Sequence, residues 1–335
     1  MKHKILAQRL YNQHLTSPLE NPQQIVEEAL GIQSQYINYG LFNLINRSNS
    51  IATKESVCQD LILSWGQRGT YHFYTIGLWQ EISQLYQGKS QWPKLLAKRG
   101  VEVEKEYELL RQLLLEKSRS RTELKEFYGE EKFKQLFAWG GLLGYAARQG
   151  QLYQQLTEND RINHWYDQPL PCSTNLKQEL LERYMRFYGP ATLKDAAHFF
   201  GVPLRFFAEV PLALPFIQID GQRFYYQEWH EQASIPEVLL LGKFDAMLIA
   251  YQSKEILIPK VHQSAVWQKA GQISSILLIQ GEYAGNWSFA VGDKTIRYQL
   301  EPHQELSEQQ QAMVIEKLMA FANFMNKTVK EIRWK

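Results

Sequence analysis

Cysteine is scarce in this chain: Cys58 and Cys172 are the only two among 335 residues. They are too few and too isolated for a disulfide framework or a zinc site, and read as two reduced, partly buried thiols. No run approaches the ~20 consecutive apolar residues of a membrane span. The opening Met1-Lys2-His3-Lys4-Ile5-Leu6-Ala7-Gln8-Arg9 lacks the apolar core of a secretory signal. A cytoplasmic protein with no membrane partner is expected. The eight histidines form no i, i+4 pair and no HExxH motif, so no metal is expected. Gly88-Lys89-Ser90 resembles the end of a phosphate-binding loop, but Ser83 stands where that loop needs its first glycine. Gly140-Gly141-Leu142-Leu143-Gly144 lacks the dinucleotide-binding spacing, and no GxSxG elbow is present. No cofactor is expected.

What is present is a globular composition. Apolar residues make up 44% and aromatics 13%, which excludes a disordered chain. The length suggests two to four units sharing burial. Net charge is only +2, but residues 1–100 hold ten basic side chains against six acidic ones. That excess hints at a surface facing a polyanion, although on charge alone the plainer reading is a solvated face.

Periodicity switches repeatedly between helix and strand, which predicts several small mixed units. Ile5, Leu6 and Leu10 have helical spacing within residues 2–15. Asn21-Pro22 reads as an N-cap followed by proline at the first helical position, opening a helix through Ile25, Val26 and Leu30 whose end Gly31 disturbs. Gly69–Tyr74 is strand-like. After a break at Gly88–Pro93, helices are expected over Glu102–Glu116, from Ser120 or Thr122 as cap, and over Phe133–Leu143. A hairpin over Tyr145–Tyr153 would then turn at Gln149-Gly150-Gln151. Helices recur at Leu176–Phe187, from Thr192-Leu193-Lys194-Asp195, and at Leu204–Glu209, followed by a hairpin about Asp220-Gly221. From about residue 236 short strands take over, at Glu255–Ile258, Ile273–Gln280, Tyr283–Val291 and Thr295–Leu300. A closing helix begins at Ser307, with Gln310 completing a capping box. Helix, helix, helix, hairpin is the layout of a winged helix, and a small barrel or sheet is a natural closure for the late strands.

Two constellations carry polar chemistry. In Gly31-Ile32-Gln33-Ser34-Gln35-Tyr36, an extended or distorted segment would let Gln33 and Gln35 present two amides to one ligand. The plainer reading is two surface residues at a helix end. In Trp65-Gly66-Gln67-Arg68-Gly69-Thr70-Tyr71-His72, the Arg68 guanidinium beside a glycine and a threonine suits a phosphate. It suits a structural ion pair at the start of a strand equally well.

Taken together, these residues resemble the winged-helix DNA glycosylases of the AlkZ and YcaQ kind, through nearly the whole chain. The markers are Gln33 and Gln35, Arg47, Arg68-Gly69-Thr70 with His72, Tyr188-Gly189-Pro190-Ala191-Thr192 with Asp195, Phe244-Asp245, and Gly281 through Gly285-Asn286-Trp287. The resemblance implies an α+β chain of tandem winged-helix (helix-turn-helix) domains with a small C-terminal β-barrel. Its divisions would be 1–87, 88–168, 169–235, and 236–335 for barrel and terminal helix. It implies Gln33 and Gln35 as catalytic residues and DNA contacts at Arg47, Arg68, Thr70, His72, Arg121 and Lys254. The chain departs from the family at Ser34, where an aliphatic residue is usual, at Asn286, where threonine is usual, and at Tyr251-Gln252-Ser253-Lys254, where the loop is commonly more basic.

The activity implied is a monofunctional DNA glycosylase that hydrolyses the N-glycosidic bond of cationic N7-alkylated purines in double-stranded DNA, as a monomer, and extends to unhooking interstrand crosslinks. A neutral glutamine is no effective general acid or base, so the leaving base must already be activated. A non-enzymatic winged-helix DNA-binding protein or regulator is the competing class, although regulators more often dimerise on symmetric sites. An RNA-binding module is disfavoured by the lack of an RNP-like aromatic motif.

Overall fold

Short helices with readable ends build the computed structural model, which describes residues 1–49, 52–157 and 160–335. Asn21 Oδ1 accepts from the Gln23 N–H at 2.9 Å, with Pro22 opening the helix Pro22–Glu28. Ser120 with Glu123, Thr192 with Asp195 and Ser307 with Gln310 form reciprocal capping boxes on Arg121–Tyr128, Leu193–Phe200 and Glu308–Phe324. Asp220 and Gly221, with φ of +48° and +76°, join the strands Phe216–Ile219 and Gln222–Tyr225, the backbone that a two-residue hairpin turn requires.

The chain forms two compact units, residues 1–54 with 175–335 and residues 55–174. Residues 87 and 88 both fall in the second unit, as do 168 and 169, while 235 and 236 both fall in the first. In the second unit Ile62–Trp65 pairs antiparallel with both Tyr71–Tyr74 and Leu152–Leu156, and Arg119–Ser120 pairs with Arg161–Trp165, the outer strand of the hairpin. Trp65, Leu96, Leu110, Leu124, Phe137, Leu142 and Leu152 fill the core beside these strands.

Two expectations fail here for local reasons. The helix expected over Phe133–Leu143 is two helices, Glu130–Phe137 and Gly141–Arg148. Between them Trp139, Gly140 and Gly141 all take positive φ, and a Cβ on Gly141 would lie 1.9 Å from the Leu136 carbonyl oxygen. The hairpin lies at Leu152–Leu156 and Arg161–Trp165, later than expected. Gly150 (φ +78°) ends a helix, with the Gln151 N–H donating to Ala146 O at 3.1 Å.

In the first unit the late strands form one five-stranded sheet. Its order is Thr328–Trp334, Thr295–Pro302, Glu282–Val291, Ser275–Ile279, Val238–Leu241. The two edge strands do not pair with each other among the described residues, so of the two closures expected the late strands form an open sheet, where the resemblance implies a small barrel. Thr295–Pro302 and Thr328–Trp334 run parallel and are joined through the helix Glu308–Phe324, the crossover that a parallel pair demands. That helix packs on the sheet, Tyr298 Oη donating to Leu318 O at 2.8 Å. Glu255–Ile258, expected as a strand, is a turn in which the Ile258 N–H donates to Lys254 O at 2.8 Å. Cys58 is buried and Cys172 exposed, both unbridged. No helix of the described residues is long and apolar enough to cross a membrane.

Candidate functional site

The segment carrying Gln33 and Gln35 emerges from a helix end closed in an unusual way. The Gly31 N–H donates to Val26 O at 2.9 Å and the Leu30 N–H to Glu27 O at 3.2 Å. This is the pattern in which the residue after the cap turns left-handed. Glycine usually takes that position, but here it is Leu30 (φ +57°), and Gly31 follows at +98°. Leu30 is fully buried, and core burial outweighs the ~1 kcal/mol cost of a left-handed leucine. Tyr188 Oη caps the same turn by donating to Ala29 O at 2.7 Å, which gives the Tyr188-Gly189-Pro190 marker a supporting role.

Ile32–Gln33 is then extended, Gln33 is buried, and Gln35 is exposed. Ser34 between them is buried, its hydroxyl donating to Ile32 O at 2.8 Å. The helix Ile37–Ile45 passes so close that a Cβ on Gly40 would lie 2.2 Å from Ser34 Oγ. The small residue at position 34, where the family usually has an aliphatic one, is therefore matched by a glycine opposite.

The same helix is pinned to a loop of its own unit. Asn43 Oδ1 accepts from the Gly242 N–H at 3.0 Å and Asn43 Nδ2 donates to Lys243 O at 3.0 Å. Arg47 forms a bidentate pair with Asp245, at 2.7 and 2.8 Å, and donates to Asn43 O at 2.7 Å. Both side chains of that pair are wholly buried. Arg47 therefore presents nothing to DNA, and its expected role as a DNA contact is corrected: it holds the loop. Phe244, left-handed at φ +56°, stacks on Tyr36 at 5.8 Å between ring centroids. Lys243 Nζ lies 5.3 Å from the Tyr36 ring centroid and 5.5 Å from that of Tyr39. A cation thus stands over the residue that follows Gln35. Neither Tyr36 nor Lys243 stood out in the sequence, although Lys243 directly precedes the Phe244-Asp245 marker. In the Gln252–Lys254 loop, Lys254 Nζ stands 4.1 Å from the Trp267 ring centroid.

The second unit holds the Arg68 turn. Arg68 itself is left-handed (φ +55°) and partly exposed. A Cβ on Gly66 would collide with the Tyr74 hydroxyl, which donates to the buried Gln67 side chain. Thr70 is partly exposed, and its Oγ1 donates to Gln67 O at 3.1 Å. His72 is buried on the central strands, with Nδ1 against Thr70 O at 2.9 Å. Burial pushes its pKa down to about 3. It stays neutral and enclosed, so the expectation that it contacts DNA is also corrected: it braces the turn from inside. Arg121 is exposed, its guanidinium 4.9 Å from the Phe133 ring centroid.

The family model of AlkZ-like DNA glycosylases matches residues 26–324, a span that holds the glutamine segment, the Arg68 turn and the Phe244-Asp245 loop. The chain belongs to the AlkZ-like DNA glycosylase family. An AlkZ-like protein of this kind is a DNA glycosylase, a hydrolase of N-glycosyl bonds. A curated relative, the interstrand DNA cross-link repair glycosylase of Streptomyces sahachiroi, is 23% identical over 85% of this chain and 86% of its own length. The solved structure of the Streptomyces sahachiroi DNA glycosylase AlkZ superposes with a TM-score of 0.76 at 19% identity, covering 99% of each chain. That likeness speaks for the fold, a mixed α+β chain of the AlkZ type.

Proposed function

We propose that this glycosylase releases cationic N7-alkylated purines from duplex DNA, acting as a monomer through Gln33 and Gln35, and that it unhooks interstrand crosslinks built on such purines. The observation that carries this reading is a pair of amides, without a carboxylate in the motif, on a segment tightly fixed by Leu30, Ser34 and Gly40. Breaking the C1′–N9 bond sends its electron pair into the purine and leaves positive charge on the sugar. An amide oxygen holds the attacking water and faces that charge. Water adds to C1′ and its proton leaves to solvent. An N7-alkylated purine departs neutral because its own positive charge takes up the electron pair, so no general acid is needed. The name of the Streptomyces sahachiroi relative supports the extension to crosslinks. Lys243, close to Tyr36, and Arg68, Arg121 and Lys254 suit phosphate contacts. The sequence of elements in 88–168 (helix, short strand, helices, hairpin, with the short strand paired to the hairpin) supports a winged helix there. A similar series in 169–235 supports a second.

The test is single-turnover release of 7-methylguanine and of uracil from matched duplexes. The wild type should excise the first and leave the second. Gln33→Ala and Gln35→Ala should each slow excision about tenfold or more, roughly 1.4 kcal/mol of transition-state stabilisation, with DNA affinity little changed. Equal excision of uracil would reveal a general acid and overturn the leaving-group argument. Binding without excision would mark a regulator.

A further inference from the structure

Arg148 ends the helix Gly141–Arg148 in the second unit. Its guanidinium lies 4.9 Å from the Tyr86 ring centroid and faces Gly69, whose built Cβ would be 3.5 Å from Nη1. Among the described residues no carboxylate and no hydrogen-bond acceptor reaches it, and its Nε is buried without a partner. Burial pushes its pKa down from the ordinary arginine value. A half-buried guanidinium stacked on one ring is an expense to the fold: stacking offsets only part of the hydration it has lost. Two features beside it explain why that expense is worth keeping. The left-handed Arg68 sits on the same turn, one residue before Gly69. The turn's own polar groups are also occupied internally, with the Gly69 N–H on Gly66 O, the Thr70 N–H on Gln67 O and the Thr70 hydroxyl on Gln67 O. The turn therefore leaves an approaching anion few backbone donors, and the guanidinium of Arg148 faces it with donors to spare.

We infer that Arg148 and Arg68 together bind one backbone phosphate of the DNA substrate, with Arg148 supplying the donors that the fold leaves unpaired. The site rests on the reading that the chain acts on duplex DNA. Guanidinium is the group suited to it because its planar donors match phosphate oxygens in pairs.

The experiment compares wild type, Arg148→Met, Arg148→Lys and Arg68→Met in duplex binding across a salt series, alongside thermal unfolding. Arg148→Met should leave the melting temperature unchanged or raise it. It should weaken binding about tenfold near physiological salt and make the slope of log affinity against log salt shallower by about 0.9, one phosphate contact. Arg148→Lys should restore the slope while recovering only part of the affinity. Combining Arg148→Met with Arg68→Met should cost less than the two separate losses together, since both act on one phosphate. An unchanged salt slope in Arg148→Met overturns the inference, and so does a lowered melting temperature with unaltered affinity, which would make Arg148 a structural residue. Failure of the underlying reading looks different: the wild type itself would then show no salt-dependent duplex binding.

Discussion

Arg47 in the first unit and Arg148 in the second are both removed from water, yet their surroundings are opposite. Arg47 is wholly enclosed and donates three bonds, two of them to the Asp245 carboxylate, with Nε its one nitrogen without a partner among the described residues. Arg148 is partly buried and has a tyrosine ring but no acceptor among the described residues. Residue type and the basic character of a segment do not separate them. The partner does. A guanidinium whose donors are consumed inside the fold is part of its framework, whereas one left without acceptors is available to an anion brought from outside. By this criterion Arg47 fixes the Gly242–Asp245 loop and Arg148 belongs with the substrate.

The strongest way to break the comparison is to remove one side of the buried pair. Arg47→Met or Asp245→Asn should each destabilise the first unit by about 3–5 kcal/mol, because a charge or its donors are left buried without a counterpart. The double variant should recover part of that loss. Urea unfolding of the four proteins measures it, and a single-variant loss below ~1 kcal/mol would show that the pair does not hold the loop.

What could be read before the structure, and what could not, follows the same division between local and distant partners. The caps at Asn21, Thr192 and Ser307 and the turn at Asp220-Gly221 were legible because each signal sits within three residues of its effect. The glutamine pair was legible by resemblance, but the buried place of Gln33 and the matching of Ser34 to Gly40 were not. Arg47 was a DNA contact only as the resemblance implied, and its pairing went unread because Asp245 lies 198 residues away in sequence. The break at Trp139-Gly140-Gly141 was hidden by an apolar run that satisfies helical periodicity on both sides of the turn. The strand Thr328–Trp334 went unread because its pairing depends on a parallel neighbour across a 17-residue helix.

His72 gives the next largest effect, and it lies in the second unit, beneath the turn that Arg148 faces. Its folded pKa of about 3 is below the ordinary 6.5. The unfolded chain therefore binds a proton that the folded chain refuses. The stability this represents is present above pH ~6.5 and is lost as pH falls toward 3. Between pH 7.5 and 4.5 the loss from this one residue is about 3 kcal/mol. Chemical unfolding of wild type and His72→Gln at those two pH values checks it through the difference of slopes, whatever the substitution does to stability at neutral pH. Equal pH dependence in the two proteins would mean that His72 protonates in place, and would return it to the set of residues able to meet DNA as a cation.

The smallest effect asks whether enclosure alone raises the worth of a satisfied polar group. Ser120 and Thr192 make the same capping box, one in each unit. Ser120 Oγ accepts from the Glu123 N–H at 3.1 Å while the Glu123 carboxylate, also paired with Lys117, accepts from the Ser120 N–H. Thr192 Oγ1 accepts from the Asp195 N–H at the same distance, but Asp195 is buried and its second oxygen also accepts from the Gln252 N–H at 2.9 Å. Removing Thr192 Oγ1 leaves a buried N–H unpaired and loosens a carboxylate that joins two separate segments. Removing Ser120 Oγ exposes an N–H that water reaches more readily. Thr192→Ala should therefore cost about 2 kcal/mol and Ser120→Ala about 0.5–1 kcal/mol, the two ends of the range for lost caps. Equilibrium unfolding of both variants measures the gap. If Ser120→Ala costs as much as Thr192→Ala, the surroundings of a cap do not set its value, and the contrast drawn between Arg47 and Arg148 loses the physical basis it shares with this pair.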